Sequence, residues 1–189
     1  MRSPIELIKG WPGKPAHPPL TDASIGAYTV GVAMLVLGAL GVEEEQMAHG
    51  ALLAIGGGLA LALPTALTGL LDWLDIPKGT PARTTATVHL LVMLSATVVF
   101  ALAFVAHLDG YDDGQVETIA LVVGLAAETL LTAGGYIGGT IVFVYGVRVL
   151  KRPGVPVSTA LVPGRAEADP GGELQQGGES APPERPPPR

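Results

Sequence analysis

The sequence predicts an all-α bundle of four transmembrane helices with both termini on the cytoplasmic side. Hydrophobic residues make up 48% of the 189 residues and charged residues only 15%, which is too apolar for an ordinary soluble domain. The apolar residues form four long blocks, each near the roughly twenty residues that a helix needs to cross a bilayer. The eleven Lys and Arg residues all fall on one side of this arrangement, which predicts its orientation.

The chain divides into three predicted regions. Residues 1–22 form a Pro-rich segment that is expected to lie at the membrane interface. Residues 23–152 form the transmembrane domain, with helices expected over about 24–42, 47–71, 84–107 and 116–150. Residues 153–189 are rich in Pro, Gly and Glu, a composition that cannot bury enough surface to fold, so they are predicted to form a disordered cytoplasmic tail.

The loop charges predict a multi-pass protein of the inner membrane. The basic residues lie in the N-terminal segment, in the loop around Lys78 and in the tail. The other two loops carry only acidic charges: Glu43, Glu44, Glu45, Asp109, Asp112, Asp113 and Glu117. Basic residues are retained in the cytoplasm, so the positive-inside rule places both termini there.

Composition also excludes several classes of function. The net charge is −6 and the chain has no cysteine. No dense basic face is present to neutralise phosphates, so nucleic acid is not an expected partner. Without cysteine the chain cannot supply disulfides, a thiolate nucleophile or the thiolate ligands of an iron–sulfur cluster. The glycine-rich stretches lie inside apolar helices and lack the strand and the basic residue of a phosphate loop, so no catalytic residue is assigned.

Four histidines divide evenly between the two membrane faces. His17 and His89 are predicted at the cytoplasmic face, and His49 and His107 at the outer face. A histidine pair near each surface of a four-helix bundle is what a b-type cytochrome with two haems needs, because each iron takes two axial imidazoles. The outer pair lies at helix ends, where a histidine is expected to meet water or headgroups without a special partner.

Asp72 and His89 are expected to be in contact. Hairpin geometry returns the third helix beside the second, which brings the two side chains to the same depth. In one interpretation the pair only satisfies two polar groups near the interface. In the other, Asp72 orients His89, whose second nitrogen binds haem iron, a metal or a quinone, with His17 as the second ligand. Two arginines would then pair with the nearby carboxylates or with an anionic cofactor group: Arg83 and Arg148.

Glu128 is predicted near the bilayer midplane, about 16 Å along the helix from Glu117. Its carboxyl group is expected to face the bundle. It serves either as a proton relay or ion site, or as a neutral side chain bonded to a hydroxyl or backbone group across the helix interface. The nearest hydroxyl groups are Thr129, Thr132 and Tyr136.

The fourth helix carries two overlapping GxxxG patterns in its GGYIGG stretch. Gly134 pairs with Gly138, and Gly135 with Gly139. Small residues at this spacing allow two helices to approach closely, so these glycines are predicted helix-packing residues. The sequence leaves open whether they pack within one chain or against another.

Three ordered blocks of the sequence resemble a known family. HPPLTDASIG, GLLDWLDIPKGTPARTTATVH and GGYIGGTIVFVYGVRV are similar, in order, to blocks of a bacterial four-helix membrane family known as domain of unknown function 2231. The family pattern marks these positions: His17, Pro18, Gly26, Gly69, Asp72, Ile76, Gly79, Arg83, His89, Gly135, Gly139 and Gly146. Some members resemble fusions with a Rieske iron–sulfur domain, which implies a redox setting.

The chain departs from that family at three points. It has no cysteine to ligate an iron–sulfur cluster, it has Ser24 where relatives often have proline, and it has Met93 where an asparagine commonly follows the histidine. The sequence therefore predicts a non-enzymatic accessory membrane component, which packs against lipid and against a second copy or a subunit of a membrane complex. The alternative is a redox protein that binds haem b or a quinone through His17, His89 and Asp72, with Arg83 nearby.

Overall fold

A computed structural model describes residues 4–11 and 13–168. These residues form, in order, α1 (Pro4–Lys9), β1 (Gly10–Trp11), β2 (Lys14–Pro15), α2 (His17–Ala39), α3 (Glu44–Asp75), α4 (Pro81–Ala106), α5 (Leu108–Asp113), α6 (Thr118–Phe143), α7 (Val157–Ala160) and α8 (Arg165–Ala168). The two short strands are antiparallel, with Gly10 opposite Pro15. Most of the predicted tail, residues 169–189, lies outside the described residues.

Four of the helices, α2, α3, α4 and α6, are long and apolar enough to cross a membrane. Their outward-facing aliphatic side chains are widely exposed, as Leu53 (66%), Leu63 (74%) and Leu91 (60%) illustrate. Such surfaces are stable against hydrocarbon and costly against water. The predicted all-α, four-helix transmembrane bundle is therefore confirmed.

Two helix boundaries differ from the prediction by seven residues, and the others by one to four. The first span begins at His17 instead of near residue 24, because prolines in the first turn lack only N–H groups that have no helical partner there. The last span ends at Phe143 instead of near residue 150. Gly146 and Arg148 follow it with positive φ angles of 66° and 62°, a backbone conformation that ends a right-handed helix.

The four spans form a ring in the order α2, α3, α4, α6. The most extensive packing joins α2 to α3 and α4 to α6, and the remaining neighbours touch less. The diagonal helices α2 and α4 meet at the centre, where the ring of Tyr28 stacks on that of Phe100 with centroids 3.9 Å apart. Around this stack lies the buried core: Val32, Leu35, Ala51, Ile55, Ala96, Ala127 and Leu131.

The bundle has two ends, named by the charges of their loops: the basic end, with His17, Asp75, Pro81 and Phe143, and the acidic end, with Ala39, Glu44, Ala106 and Thr118. Four spans that alternate in direction bring the first and last described segments to the basic end. There the Arg148 guanidinium donates to the carbonyl oxygens of Lys9 (2.9 Å) and Gly10 (3.0 Å). The Lys9 ammonium in turn contacts the carboxylate of Asp75, so both segments are tied to the bundle.

Candidate functional site: two imidazoles and an ion pair at the basic end

His17 begins α2 and is oriented by α3. Its Nδ1 lies 3.0 Å from the carbonyl oxygen of Thr65. A carbonyl oxygen only accepts, so Nδ1 carries the hydrogen and Nε2 keeps its lone pair. The nearest group to Nε2 is the Thr21 hydroxyl at 3.5 Å, which donates instead to a backbone carbonyl at 2.9 Å. Gly69 makes room for the ring, since a Cβ there would lie 2.7 Å from the His17 Cε1.

His89 repeats this arrangement between α4 and α6. Its Nδ1 lies 2.9 Å from the carbonyl oxygen of Gly134, which fixes the same tautomer. Gly138 makes room for the imidazole, because a Cβ at that position would lie 2.9 Å from the His89 Cε1. Among the described residues, none forms a hydrogen bond with the His89 Nε2. Both rings therefore present an uncommitted Nε2 lone pair.

The two imidazoles lie at the same end of the bundle on the diagonal helices α2 and α4. An imidazole whose Nδ1–H is held by a carbonyl is prepared to coordinate a metal through Nε2, or to accept a hydrogen bond there. No group of three or more His, Cys, Asp or Glu side chains suited to a metal ion occurs in the described part of the chain. The described imidazole nitrogens at this end of the bundle that remain available to a ligand are therefore the two Nε2 atoms.

Asp72 is in contact with Arg148, and the predicted contact between Asp72 and His89 is wrong. Asp72 is 8% exposed, and its Oδ1 lies 3.1 Å from the Arg148 Nε. The closest packing of α4 is against α6 and not against α3, so His89 faces Gly134. Asp72 instead contacts Arg148, in the segment that follows α6. The expected pairing of Arg148 with a carboxylate is confirmed.

Arg83 caps the carboxyl end of α3. Its Nη1 donates to the carbonyl oxygens of Trp73 and, at 3.2 Å, Ile76. The guanidinium lies over the Trp73 ring, 3.4 Å from its centroid, and the indole Nε1 donates to the Thr87 hydroxyl at 3.0 Å. These contacts fasten the α3–α4 turn. A role for Arg83 in binding a cofactor stays a prediction.

Glu128 is bonded across a helix interface. Its Oε1 accepts a hydrogen bond of 3.0 Å from the Thr29 hydroxyl on α2, and its Oε2 is buried without a partner among the described residues. The nearest hydroxyls in sequence do not bind it: Thr129 donates to the Leu125 carbonyl, and Tyr136 is 83% exposed. The observed bond matches the structural interpretation of this carboxyl group.

The two glycine pairs of α6 face in different directions. Gly134 packs against Met93, and Gly138 against His89, so this pair brings α6 close to α4. A Cβ at Gly135 would meet no described atom of another helix within 4 Å, and a Cβ at Gly139 would meet only the Phe143 side chain of its own helix. One GxxxG pattern thus packs within the chain, and the other lies on the outer surface.

The histidines at the acidic end are tied to the protein through the opposite nitrogen. His107 Nε2 donates to the Ala48 carbonyl at 3.0 Å, and His49 Nε2 to the Tyr111 carbonyl at 2.8 Å. His107 is fully buried, so the expectation that it meets water or headgroups is wrong. The short helix α5 folds back over it, and burial lowers the pKa of His107, an effect that its bond to Ala48 and the nearby Glu117 carboxylate only partly offset.

Several partners in the site were not predicted. The carbonyl acceptors at Thr65 and Gly134 have no side-chain signature, so no sequence pattern reveals them. Lys9 also was not singled out, although it contacts Asp75 and is itself buried. Its position among the aliphatic residues of the N-terminal segment is the one signal that it packs against the bundle.

The comparisons with known proteins identify the family of the chain. No curated protein and no solved structure is significantly similar to it. A family model described as "Predicted membrane protein (DUF2231)" matches residues 13–151, a range that includes all four spans and both histidines of the basic end. The chain therefore belongs to this family of predicted membrane proteins.

Proposed function

We propose that this protein is a membrane redox component that binds haem b through His17 and His89. The observation that carries the proposal is the common orientation of the two imidazoles: each Nδ1–H is held by a backbone carbonyl of a neighbouring helix. This leaves two Nε2 atoms as ligands at one end of the bundle. Haem, when bound between two imidazoles, supplies one-electron transfer.

Two further features of the site support this proposal. The two candidate ligands come from the diagonal helices α2 and α4. Gly69 and Gly138 remove the side chains that would otherwise push the rings aside. The same Nε2 lone pairs could instead accept the hydroxyl hydrogens of a quinol, so a quinone is the alternative ligand of this site.

The orientation of the chain is part of the proposal. In sequence, all eleven Lys and Arg precede the first span, lie at the junction of the second and third spans, or follow the last span, so the positive-inside rule places the basic end, with both termini, in the cytoplasm of a cell with an inner membrane. A reporter enzyme fused after Arg189 tests this. We expect activity of a reporter that works only in the cytoplasm, and activity of a reporter that works only in the periplasm would reverse the assignment.

An optical spectrum of the purified protein, expressed with haem supply, tests the cofactor. We expect reduced-minus-oxidised bands in the wild type that disappear in His17→Ala and in His89→Ala. The matched control is His49→Ala, which removes a histidine at the acidic end and should keep the bands. A wild-type protein without bands contradicts haem binding, and quinone extracted from the same preparation would then identify the alternative ligand.

A second candidate function is that of an accessory component that packs against another membrane chain. The observation that favours it is the outer glycine surface of α6, formed by Gly135 and Gly139 beside the exposed Tyr136 (83%) and Phe143 (86%). Small residues on an exposed helix face allow a second helix to approach closely.

The absence of cysteine makes this second candidate testable by cross-linking in native membranes. A single Gly135→Cys substitution should give a cross-linked product. Gly57→Cys is the control, because Gly57 on α3 also has no neighbour within 4 Å but lacks a second glycine one turn away. Equal cross-linking of both variants would contradict a specific contact at α6.

A further inference from the structure

A cavity of about 360 Å³ lies at the basic end, between the α3–α4 turn and the segment that follows α6. Small-molecule sites in proteins typically measure roughly 300–1,000 Å³, so the cavity has room for a small group. Its wall includes charged, hydroxyl and apolar side chains: Asp72, Asp75, Ile76, Thr80, Val147 and Arg148.

The ion pair in this wall is buried but incompletely bonded. Asp72 is 8% exposed, and its Oδ1 lies 3.1 Å from the Arg148 Nε. Neither atom forms a hydrogen bond of good geometry within the described residues. Buried charged groups normally have all their hydrogen-bonding capacity in use. These two atoms face each other, and the residues that carry them both line the cavity. A carboxylate and a guanidinium in one wall favour a ligand that carries both a cation and an anion.

The cavity also lies at the level of the membrane boundary. It opens where α3 ends, α4 begins and α6 has just ended. Trp73 lies in the last turn of α3, and Tyr145 in the cavity wall is 40% exposed. Aromatic side chains with a polar tip are enriched at the headgroup level of a bilayer. The apolar side chains of Ile76 and Val147 in the wall suit the hydrocarbon portion of an amphipathic ligand.

We propose that this cavity binds the headgroup of a zwitterionic phospholipid with a primary ammonium group, a phosphatidylethanolamine. The ammonium donates hydrogen bonds to the Asp72 carboxylate, and the phosphate accepts them from the Arg148 guanidinium. A quaternary ammonium has no N–H group to donate. An anionic headgroup without an amine has no ammonium to donate to the Asp72 carboxylate. The cavity is distinct from the imidazole site, because neither His17 nor His89 lines it.

The test compares short-chain phospholipids that share the same acyl chains and differ only in headgroup. Their affinities for the purified full-length protein are measured by native mass spectrometry. We expect phosphatidylethanolamine to bind about tenfold or more tightly than phosphatidylcholine, because only the former donates charge-assisted hydrogen bonds. Asp72→Asn should reduce this preference to near equality. The control Asp109→Asn, at the acidic end, should retain it.

Three outcomes would overturn the proposal. The first is equal affinity of the wild type for the two zwitterionic lipids, and the second is tightest binding of phosphatidylglycerol. The third is equally tight binding of soluble phosphoethanolamine, which would assign the site to a free phosphate ester instead of a lipid. If Asp72→Asn fails to fold, Val147→Trp fills the cavity without removing a charge. A lipid preference that persists in Val147→Trp would equally contradict the site.

Discussion

The basic and acidic ends of the bundle each hold two histidines, but they use opposite nitrogens. At the basic end the Nδ1 atoms of His17 and His89 donate to backbone carbonyls, and Nε2 stays uncommitted. At the acidic end the Nε2 atoms of His49 and His107 donate. Nε2 is the nitrogen farther from the backbone. At the acidic end Nε2 makes a structural hydrogen bond within the protein. At the basic end Nε2 remains available to bind a ligand.

The charges divide the two ends in the same way. The basic end contains two pairs of opposite sign, Lys9 with Asp75 and Arg148 with Asp72. The acidic end has only carboxylates in its loops, such as Glu44, whose Oε1 accepts from the backbone N–H of Val116 at 3.3 Å. Although each end has two histidines, the basic and acidic ends are therefore chemically different. The basic end combines cations, anions and imidazole lone pairs, and substitutions at the two ends should have different consequences.

Arg148→Ala should cause the largest loss of stability. It leaves the Asp72 carboxylate buried without its cation and removes the bonds to the Lys9 and Gly10 carbonyls. Removing one partner of a buried ion pair costs about 3–5 kcal/mol. The free energy of unfolding in detergent measures this loss. Lys151→Ala, an exposed position at the same end, should change it by less than about 0.5 kcal/mol. An unchanged Arg148→Ala protein would show that the pair contributes nothing.

His107→Ala should destabilise the acidic end more than His17→Ala destabilises the basic end. His107 is fully buried, and its removal leaves both a cavity and an unpaired Ala48 carbonyl. Together these cost about 2–4 kcal/mol. His17 is only partly buried, so loss of its bond to Thr65 should cost about 1 kcal/mol. The free energies of unfolding of both variants in the same detergent show which loss is larger. Equal losses would contradict a greater structural role for His107 than for His17.

Two adjacent glycines of α6 should respond to alanine in opposite directions. A Cβ at Gly138 would lie 2.9 Å from the His89 Cε1, so Gly138→Ala displaces the imidazole and costs about 1–3 kcal/mol. A Cβ at Gly139 would meet only Phe143 at 3.8 Å, an ordinary contact. Gly139→Ala should therefore be neutral or stabilising by up to about 1 kcal/mol, through helix propensity. Similar losses in the two variants would mean that Gly139 also packs against a helix.

The spans could be predicted from sequence because they depend on composition more than on detail. Four apolar blocks separated by charged loops permit few other arrangements. Their boundaries depend on local backbone chemistry that hydropathy does not measure. Pro18 and Pro19 indicate a helix break by their residue type, yet they lie in the first turn of α2, where they are compatible with the helix. Gly146 and Arg148 end the last span within a sequence that is still apolar.

The sequence could predict how deep each site residue lies along the bundle, but not which way each helix is rotated about its axis. Position along a helix sets the depth of a side chain, so His17, His89 and Asp72 were correctly expected at one end. The direction in which each helix turns its side chains depends on which neighbours pack most closely. For α4 that neighbour is α6, which gives His89 the Gly134 carbonyl instead of Asp72. Glu128 likewise binds Thr29, distant in sequence, instead of a nearby hydroxyl.

Acidification should weaken the acidic end by a smaller amount, through His107. Burial lowers the pKa of this imidazole in the folded protein, so below about pH 6.5 the unfolded chain takes up a proton that the folded chain does not. Stability is then lost as pH falls, with a slope of at most about 1.4 kcal/mol per pH unit for one group. His107→Gln keeps a donor for the Ala48 carbonyl but does not titrate, so its stability should fall less between pH 7.5 and 5.5. Parallel pH profiles of wild type and His107→Gln would show that groups other than His107 account for the pH dependence of stability.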